Sequence, residues 1–492
     1  MNTISNYYQA LGVKRSATNE DLKSAYRQLA RRLHPDANLN NVEAASYQFQ
    51  EITAIYETLS DADRRARYEQ KFASAFMENP LRYSLTVTPH RNTVSSAGSP
   101  QVVYLLAQVT AGEIPQEARR SHLNITLLFD HSNSMNGERL NKVKVAAHKI
   151  IDQLTDKDIL SIVAFNDRAT VLVPAARVTD KPRLKAQVSL LKAFGSTEMF
   201  RGLSAAVSQN RRFCTPSLVN HVVLLTDGNT YGDEERCLEL ARDAGEEGIS
   251  ISAVGLGDEW NDEFLDEVAS ISGGTSIFIN APHKIVDFLD NHVRSLSRTF
   301  AERVQISIAP DPDIKLEMAF RVSPQPQPLL TSEGHMPLGS LRINDEIQVI
   351  FQLRLPEDLE LGTRSIARIV VNGDILANEQ KSYQLVSEVM VEVEERAFEE
   401  DSPEIVINAL RGLTIYRMQE RAQQALEQGD FSSASARLRN LATALIQIGE
   451  DELAEQAETE ARQITQTREM TPIGRKELKY QTRQLLLPAS VA

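Results

Sequence analysis

The tract Ile125-Thr126-Leu127-Leu128-Phe129-Asp130-His131-Ser132-Asn133-Ser134 sets a carboxylate and two hydroxyls at alternate positions directly after an apolar run. Further on, Leu224-Leu225-Thr226-Asp227-Gly228 ends a second apolar run on another carboxylate. Asp130, Ser132, Ser134 and Asp227 offer only oxygen donors. Such donors suit a hard divalent cation that keeps several waters in an octahedral shell, Mg2+ first, with Mn2+ or Ca2+ as alternatives. A second group is His34-Pro35-Asp36. Pro35 cannot continue a helix and restricts the residue before it, so His34 and Asp36 are presented outward at a fixed angle. Lys23, Arg27 and Arg31 recur every fourth residue on the preceding helix, a basic stripe suited to steering onto an acidic surface. Taken alone, each group has a plainer reading: Asp36 as a helix cap above solvated arginines, and the Asp/Ser triplet as the cap of a helix beginning near Gly137.

The elements that must position these groups follow from periodicity. Leu22, Tyr26, Leu29, Ala30 and Leu33 fall on one helical face, opened by Thr18 with Asp21 three residues on; Ala45, Phe49, Ile52, Tyr56 and Leu59 repeat the pattern. Two packed helices joined by the His34 loop are expected. From 81 to 112 the period changes to two, giving strands. Between 122 and 297, apolar runs alternate with helical stretches, the pattern of a doubly wound α/β domain with a parallel sheet, whose carboxyl edge is where ligands bind. Strict alternation returns over 303–395, and the strands of 81–112 are expected to join these in one β-sandwich, with the α/β domain inserted in it. Residues 401–468 read as a helical hairpin region and 469–492 as a charged tail.

Of 492 residues, 53 are Lys or Arg and 67 Asp or Glu, a net charge of −14. That length implies a multidomain chain of roughly three or four domains, and that balance argues against nucleic acid as the main partner. The two cysteines, Cys214 and Cys237, lack disulfide or zinc spacing. With no apolar leader and no membrane span in view, a cytoplasmic location is expected. Gly255-Leu256-Gly257 lacks the third glycine of a dinucleotide fingerprint, and the scattered histidines pair with no nucleophile. A protein that is not an enzyme is expected.

Residues 5–72 resemble a J domain, the module with which DnaJ-like co-chaperones engage DnaK-type chaperone ATPases. His34, Pro35 and Asp36 stand where that family carries its signature loop, with Lys23, Arg27 and Arg31 as the chaperone-facing stripe; Ala37 stands where such loops usually carry Lys. Residues 122–297 resemble a von Willebrand factor type A domain with a metal-ion-dependent adhesion site. The resemblance adds Thr197, in Phe194-Gly195-Ser196-Thr197, to Asp130, Ser132, Ser134 and Asp227. It implies that the two serines and the threonine touch the metal, that the aspartates act largely through water, and that a partner's carboxylate completes the shell. Asn133 and Ser196 replace glycines often found there.

Together these resemblances imply a co-chaperone that recruits and stimulates a DnaK-type ATPase and binds a protein client with an exposed carboxylate through Mg2+. The alternative is a non-catalytic metal-dependent scaffold, its type A domain a structural bridge and its J domain recruiting chaperone for complex assembly.

Overall fold

Thr18 starts its helix as a full capping box: its hydroxyl accepts the Asp21 N–H at 3.2 Å and Asp21 accepts the Thr18 N–H at 2.9 Å. The computed structural model describes residues 4–485 apart from 6, 79–81, 97, 99, 113–119, 229, 231, 258–259, 325, 330–333, 377–382 and 397–400. A two-residue strand β1 (Ile4–Ser5) leads into α1 (Tyr7–Ala10), α2 (Asn19–Arg32), α3 (Val42–Ser60) and α4 (Ala62–Glu78). The expected apolar faces meet, burying Leu22, Leu33, Ile52 and Leu59 with Tyr8 and Leu11. Tyr26 and Tyr56 stack at 4.4 Å between ring centroids.

The chain then runs through β2 (Tyr83–Pro89), β3 (Thr93–Ser95) and β4 (Val102–Ala111) into the α/β domain. There it forms β5 (Leu123–Asp130), α5 (Glu138–Gln153), β6 (Ile159–Phe165), β7 (Ala169–Arg177), α6 (Lys181–Ser189), α7 (Met199–Arg211), β8 (Val219–Thr226), α8 (Glu234–Glu246), β9 (Ser250–Leu256), α9 (Asp262–Ile271), β10 (Ser276–Ile279) and α10 (Lys284–Leu296). The sheet order is β10-β9-β8-β5-β6-β7. Every pairing is parallel except β6 with β7, a hairpin turned over only three residues. That antiparallel edge departs from the all-parallel expectation, because a connection so short cannot make a crossover. The central strands β5 and β8 are buried along their whole length, as strands covered on both faces must be.

Beyond the α/β domain come β11 (Thr299–Pro310), β12 (Lys315–Ser323), β13 (Gln327–Pro328), β14 (Met336–Arg342), β15 (Glu346–Arg354), β16 (Gly362–Ile375) and β17 (Tyr383–Glu394). β15 pairs with β4 over its full length, from Glu346 opposite Thr110 to Arg354 opposite Val102. The strands before and after the α/β domain therefore share a sheet, and the α/β domain is an insertion. Side chains from this sheet, such as Leu105 and Phe351, share one core with Ile306, Ile369 and Val371 of the sheet β17-β16-β11-β14. This is a sandwich.

The N-terminal helices are seated on that sandwich. β1 extends the second sheet parallel to β17, Gln48 donates to Ser307 at 3.1 Å, and Arg368 donates to the Ala10 carbonyl at 2.7 Å. Arg32 pairs with Glu388 at 2.7 Å and Asp311 at 3.4 Å.

The C-terminal region is richer than expected. Four helices, α11 (Glu404–Glu427), α12 (Phe431–Gln447), α13 (Asp451–Thr467) and α14 (Pro472–Gln484), stand where the sequence predicts a helical hairpin and a tail. Thr471 caps α14, with Pro472 at its first position. Residues 486–492 of the expected tail lie outside the described residues. Leu438, Leu445, Ala457, Ile464 and Leu478 share the core of this helical region.

Candidate functional site

At the carboxyl edge of the α/β sheet, β5 delivers Asp130 and β8 is followed at once by Asp227; both are fully buried. Asp130 Oδ1 accepts the Ser132 N–H at 2.8 Å and Oδ2 accepts the Thr226 hydroxyl at 2.7 Å. Burial pushes the Asp130 carboxyl above its ordinary value, against those hydrogen bonds, and nearby Asp227 adds to the rise. Ser132 Oγ and Ser134 Oγ lie 3.0 Å apart, and Ser134 donates to Asp227 Oδ1 at 2.7 Å. Thr197 approaches from the loop before α7: a β-carbon added at Gly228 would lie 3.4 Å from its hydroxyl.

That loop is held by its backbone. Asn133 N–H donates to the Gly195 carbonyl at 3.1 Å, Phe194 N–H to the His131 carbonyl at 2.9 Å, and Met199 N–H to the Thr230 hydroxyl at 3.1 Å. The five expected residues thus converge on one edge. Two carboxylates and three hydroxyls fit a hard cation in charge and donor type. Among the described residues no group of three or more His, Cys, Asp or Glu side chains is placed to hold a metal, so the hydroxyls are needed to make up a donor set here.

Sequence reasoning missed two members of this edge. Thr226 secures Asp130, and Arg139, in the first turn of α5, reaches Asp227 Oδ2 at 2.6 Å. An arginine one turn beyond the Asp/Ser triplet was the available signal.

The second group lies on the helical unit. His34 caps a 3-10 turn over Pro35–Ala37, its Nδ1 accepting the Asp36 N–H at 3.2 Å. The His34 side chain is half exposed, its ring edge-on to Phe49, and the Asp36 side chain is 91% exposed. Lys23, Arg27 and Arg31 are exposed as well, and Arg27 and Arg31 line a shallow depression with His34, Asp36 and Ala37. Buried Asn38, also missed, fixes the loop by donating to the carbonyls of Arg32 at 2.6 Å and His34 at 2.9 Å.

Comparison with known proteins accounts for three stretches of the chain. The DnaJ domain family matches residues 6–69 and the von Willebrand factor type A domain family residues 124–290. The chain carries a DnaJ domain and a von Willebrand factor type A domain. Residues 404–488 match a family described as the Sll0103-like, C-terminal alpha-helical domain. "Uncharacterized protein sll0103" of Synechocystis sp. is 27% identical over 355 residues, which cover 70% of this chain and 84% of that protein. The chaperone protein DnaJ of Carboxydothermus hydrogenoformans is 55% identical over 64 residues, 13% of this chain and only 16% of that protein. Among solved structures, a von Willebrand factor type A protein from Catenulispora acidiphila aligns with a TM-score of 0.67 at 16% identity, covering 82% of this chain and 99% of that one, a likeness of fold. Among the described residues no helix is long and apolar enough to cross a membrane.

Proposed function

We propose that this chain is a cytoplasmic J-domain co-chaperone that recruits and stimulates a DnaK-type ATPase and holds a protein client through a divalent cation at the type A edge. The observation that carries the chaperone half is the placement of His34, Asp36, Lys23, Arg27 and Arg31: all are exposed, while Arg32 and Gln48 of the same helices are engaged with the sandwich. These residues are left open to a partner while Arg32 and Gln48 seat the helices on the sandwich, so Lys23, Arg27 and Arg31 steer an acidic partner surface toward the loop.

For the client half, Ser132, Ser134 and Thr197 would touch the cation, and Asp130 and Asp227 would balance its charge from buried positions. A bound Mg2+ would supply a hard Lewis acid whose shell a client carboxylate completes.

The test is calorimetric titration of Mg2+ and Mn2+ into the full chain, wild type against Asp130→Ala and Thr197→Ala, with steady-state ATP turnover of a DnaK-type partner measured in parallel. Loss of metal binding in both variants, with stimulation of the partner retained, is expected. Equal heats for wild type and variants, or no binding by the wild type at millimolar metal, would leave the aspartates and serines as a hydrogen-bonded structural edge.

A further inference from the structure

Asp227 is fully buried and both of its carboxylate oxygens are engaged, Oδ1 by the Ser134 hydroxyl at 2.7 Å and Oδ2 by Arg139 Nη1 at 2.6 Å. The arginine that makes this contact is about one-third exposed and rises from the first turn of α5, immediately after Gly137. Room for its guanidinium is made at the end of β9. Gly257 has a φ of +75°, and a β-carbon there would lie 2.7 Å from Arg139 Nη2. A side chain at 257 would both strain the backbone and crowd the arginine. The carbonyl of that same glycine accepts the Trp260 indole N–H at 2.8 Å. The guanidinium therefore sits in a fitted slot, between a buried carboxylate and the backbone of Gly257.

We propose that Arg139 is a tethered counter-cation of the Asp130–Asp227 edge, neutralising Asp227 until a divalent cation takes its place, and so setting how tightly that edge binds metal. The inference rests on the cation reading given above and deepens it. Two carboxylates on one buried edge carry two negative charges; with Arg139 in its slot the edge presents one. Cation affinity at an oxygen site follows the number of ligand charges, so an arginine held within the site lowers it.

Arg139→Gln removes the charge. In the full chain without metal it leaves Asp227 buried beside one neutral donor, so melting temperature should fall. Added Mg2+ should then raise it by more than in the wild type. In calorimetry, Mg2+ should bind Arg139→Gln at least tenfold more tightly than wild type, with Arg139→Lys between them. The lysine variant, which keeps a positive charge, also serves should the glutamine protein fold poorly. Wild type that binds Mg2+ with Arg139→Gln or Arg139→Lys equal or weaker would overturn the counter-cation role while leaving the cation reading intact. No binding of Mg2+ or Mn2+ by any of the three proteins would overturn both. Binding by Arg139→Gln alone would support the counter-cation role and overturn the cation reading of the wild-type chain.

Discussion

Lys476 Nζ donates to the Trp260 carbonyl at 2.6 Å and lies 4.4 Å from the centroid of the Trp260 ring. Both residues are almost fully buried, and Trp260 is the one tryptophan of the chain. The contact belongs to a seam in which α14 lies against α9. Arg475 and Lys479 each reach Asp262 at 2.5 Å, Arg483 reaches Asp266 at 2.6 Å, and Tyr480 packs between Trp260 and Phe278. Burial opposes charge on Asp266, but Arg483 and Lys479 outweigh it and hold the carboxyl well below the usual range.

Tryptophan emission of the full chain should therefore report docking of α14. Asp266→Asn strands Arg483 in a buried position, a change that costs about 3–5 kcal/mol when one partner of a buried pair is removed. A red shift of Trp260 emission and a lower denaturant midpoint are expected. A carboxyl with a depressed folded value stabilises above its unfolded pKa and loses that contribution as the pH falls. The wild-type emission should thus shift toward that of the variant only under acid conditions, below the ordinary Asp value. Emission unchanged by Asp266→Asn would mean that the seam is not what orders α14.

The J-domain loop carries a second expectation. His34 is half exposed and makes one local hydrogen bond, so His34→Gln should leave the melting temperature unchanged while reducing stimulation of a DnaK-type ATPase at least tenfold. Asn38→Ala should behave differently. It removes the side-chain bonds to the Arg32 and His34 carbonyls, of which the His34 carbonyl keeps the Ala37 N–H at 3.0 Å, at a cost of about 1–3 kcal/mol, and should lower stability and stimulation together. Steady-state ATP turnover and a thermal melt of each variant separate the two.

The basic stripe should act through long-range charge. Lys23→Glu, Arg27→Glu and Arg31→Glu combined should weaken association with the chaperone strongly at low salt and far less near 1 M, where screening acts within about 3 Å against about 30 Å at 0.01 M. Surface-binding measurements across that range decide it; a variant that binds like wild type at low salt would make the stripe a solvated face.

What was legible in the sequence was local or repeated. The Leu22-to-Leu33 and Ala45-to-Leu59 patterns and the Thr18 box lie where periodicity and motif put them, and Ser134 and Asp227 meet at the end of the sheet. The inserted α/β domain was legible because alternation stops at 112 and resumes at 303. What escaped depends on pairing across long stretches. Arg139 meets Asp227 88 positions away, and its place one turn beyond the Asp/Ser triplet does not by itself say which carboxylate it reaches. Arg475, Lys479 and Arg483, spaced by four, lie in the stretch expected as a charged tail; the matching four-residue spacing of Asp262 and Asp266, more than 200 positions earlier, is what turns them into a buried seam. The two-residue β1 is too short for any period to show.

A buried carboxyl in the sandwich supplies the last expectation. Glu302, on β11, is only 4% exposed; its Oε1 accepts the Ser340 hydroxyl at 2.7 Å, and its Oε2 is buried without a hydrogen-bond partner among the described residues. Burial pushes its pKa up from 4.5 to about 7, with Ser340, Arg303 and Arg342 acting the other way. A carboxyl raised in the folded state keeps its proton after the unfolded chain has lost its own, so stability falls as the pH rises from about 4.5 to about 7 and levels off above that. The difference corresponds to roughly 3 kcal/mol at about 1.4 kcal/mol per pH unit. Glu302→Gln keeps the shape and the acceptor for Ser340 but carries no charge, so it should remove this pH dependence and stabilise the sandwich above pH 7, with little effect near pH 4.5. Hydrogen-exchange protection of the β11 and β14 amides, corrected for intrinsic rates, should fall between pH 5 and pH 8 in wild type and stay level in the variant. Parallel losses in both proteins would show that Glu302 is ionised in the folded chain throughout this range.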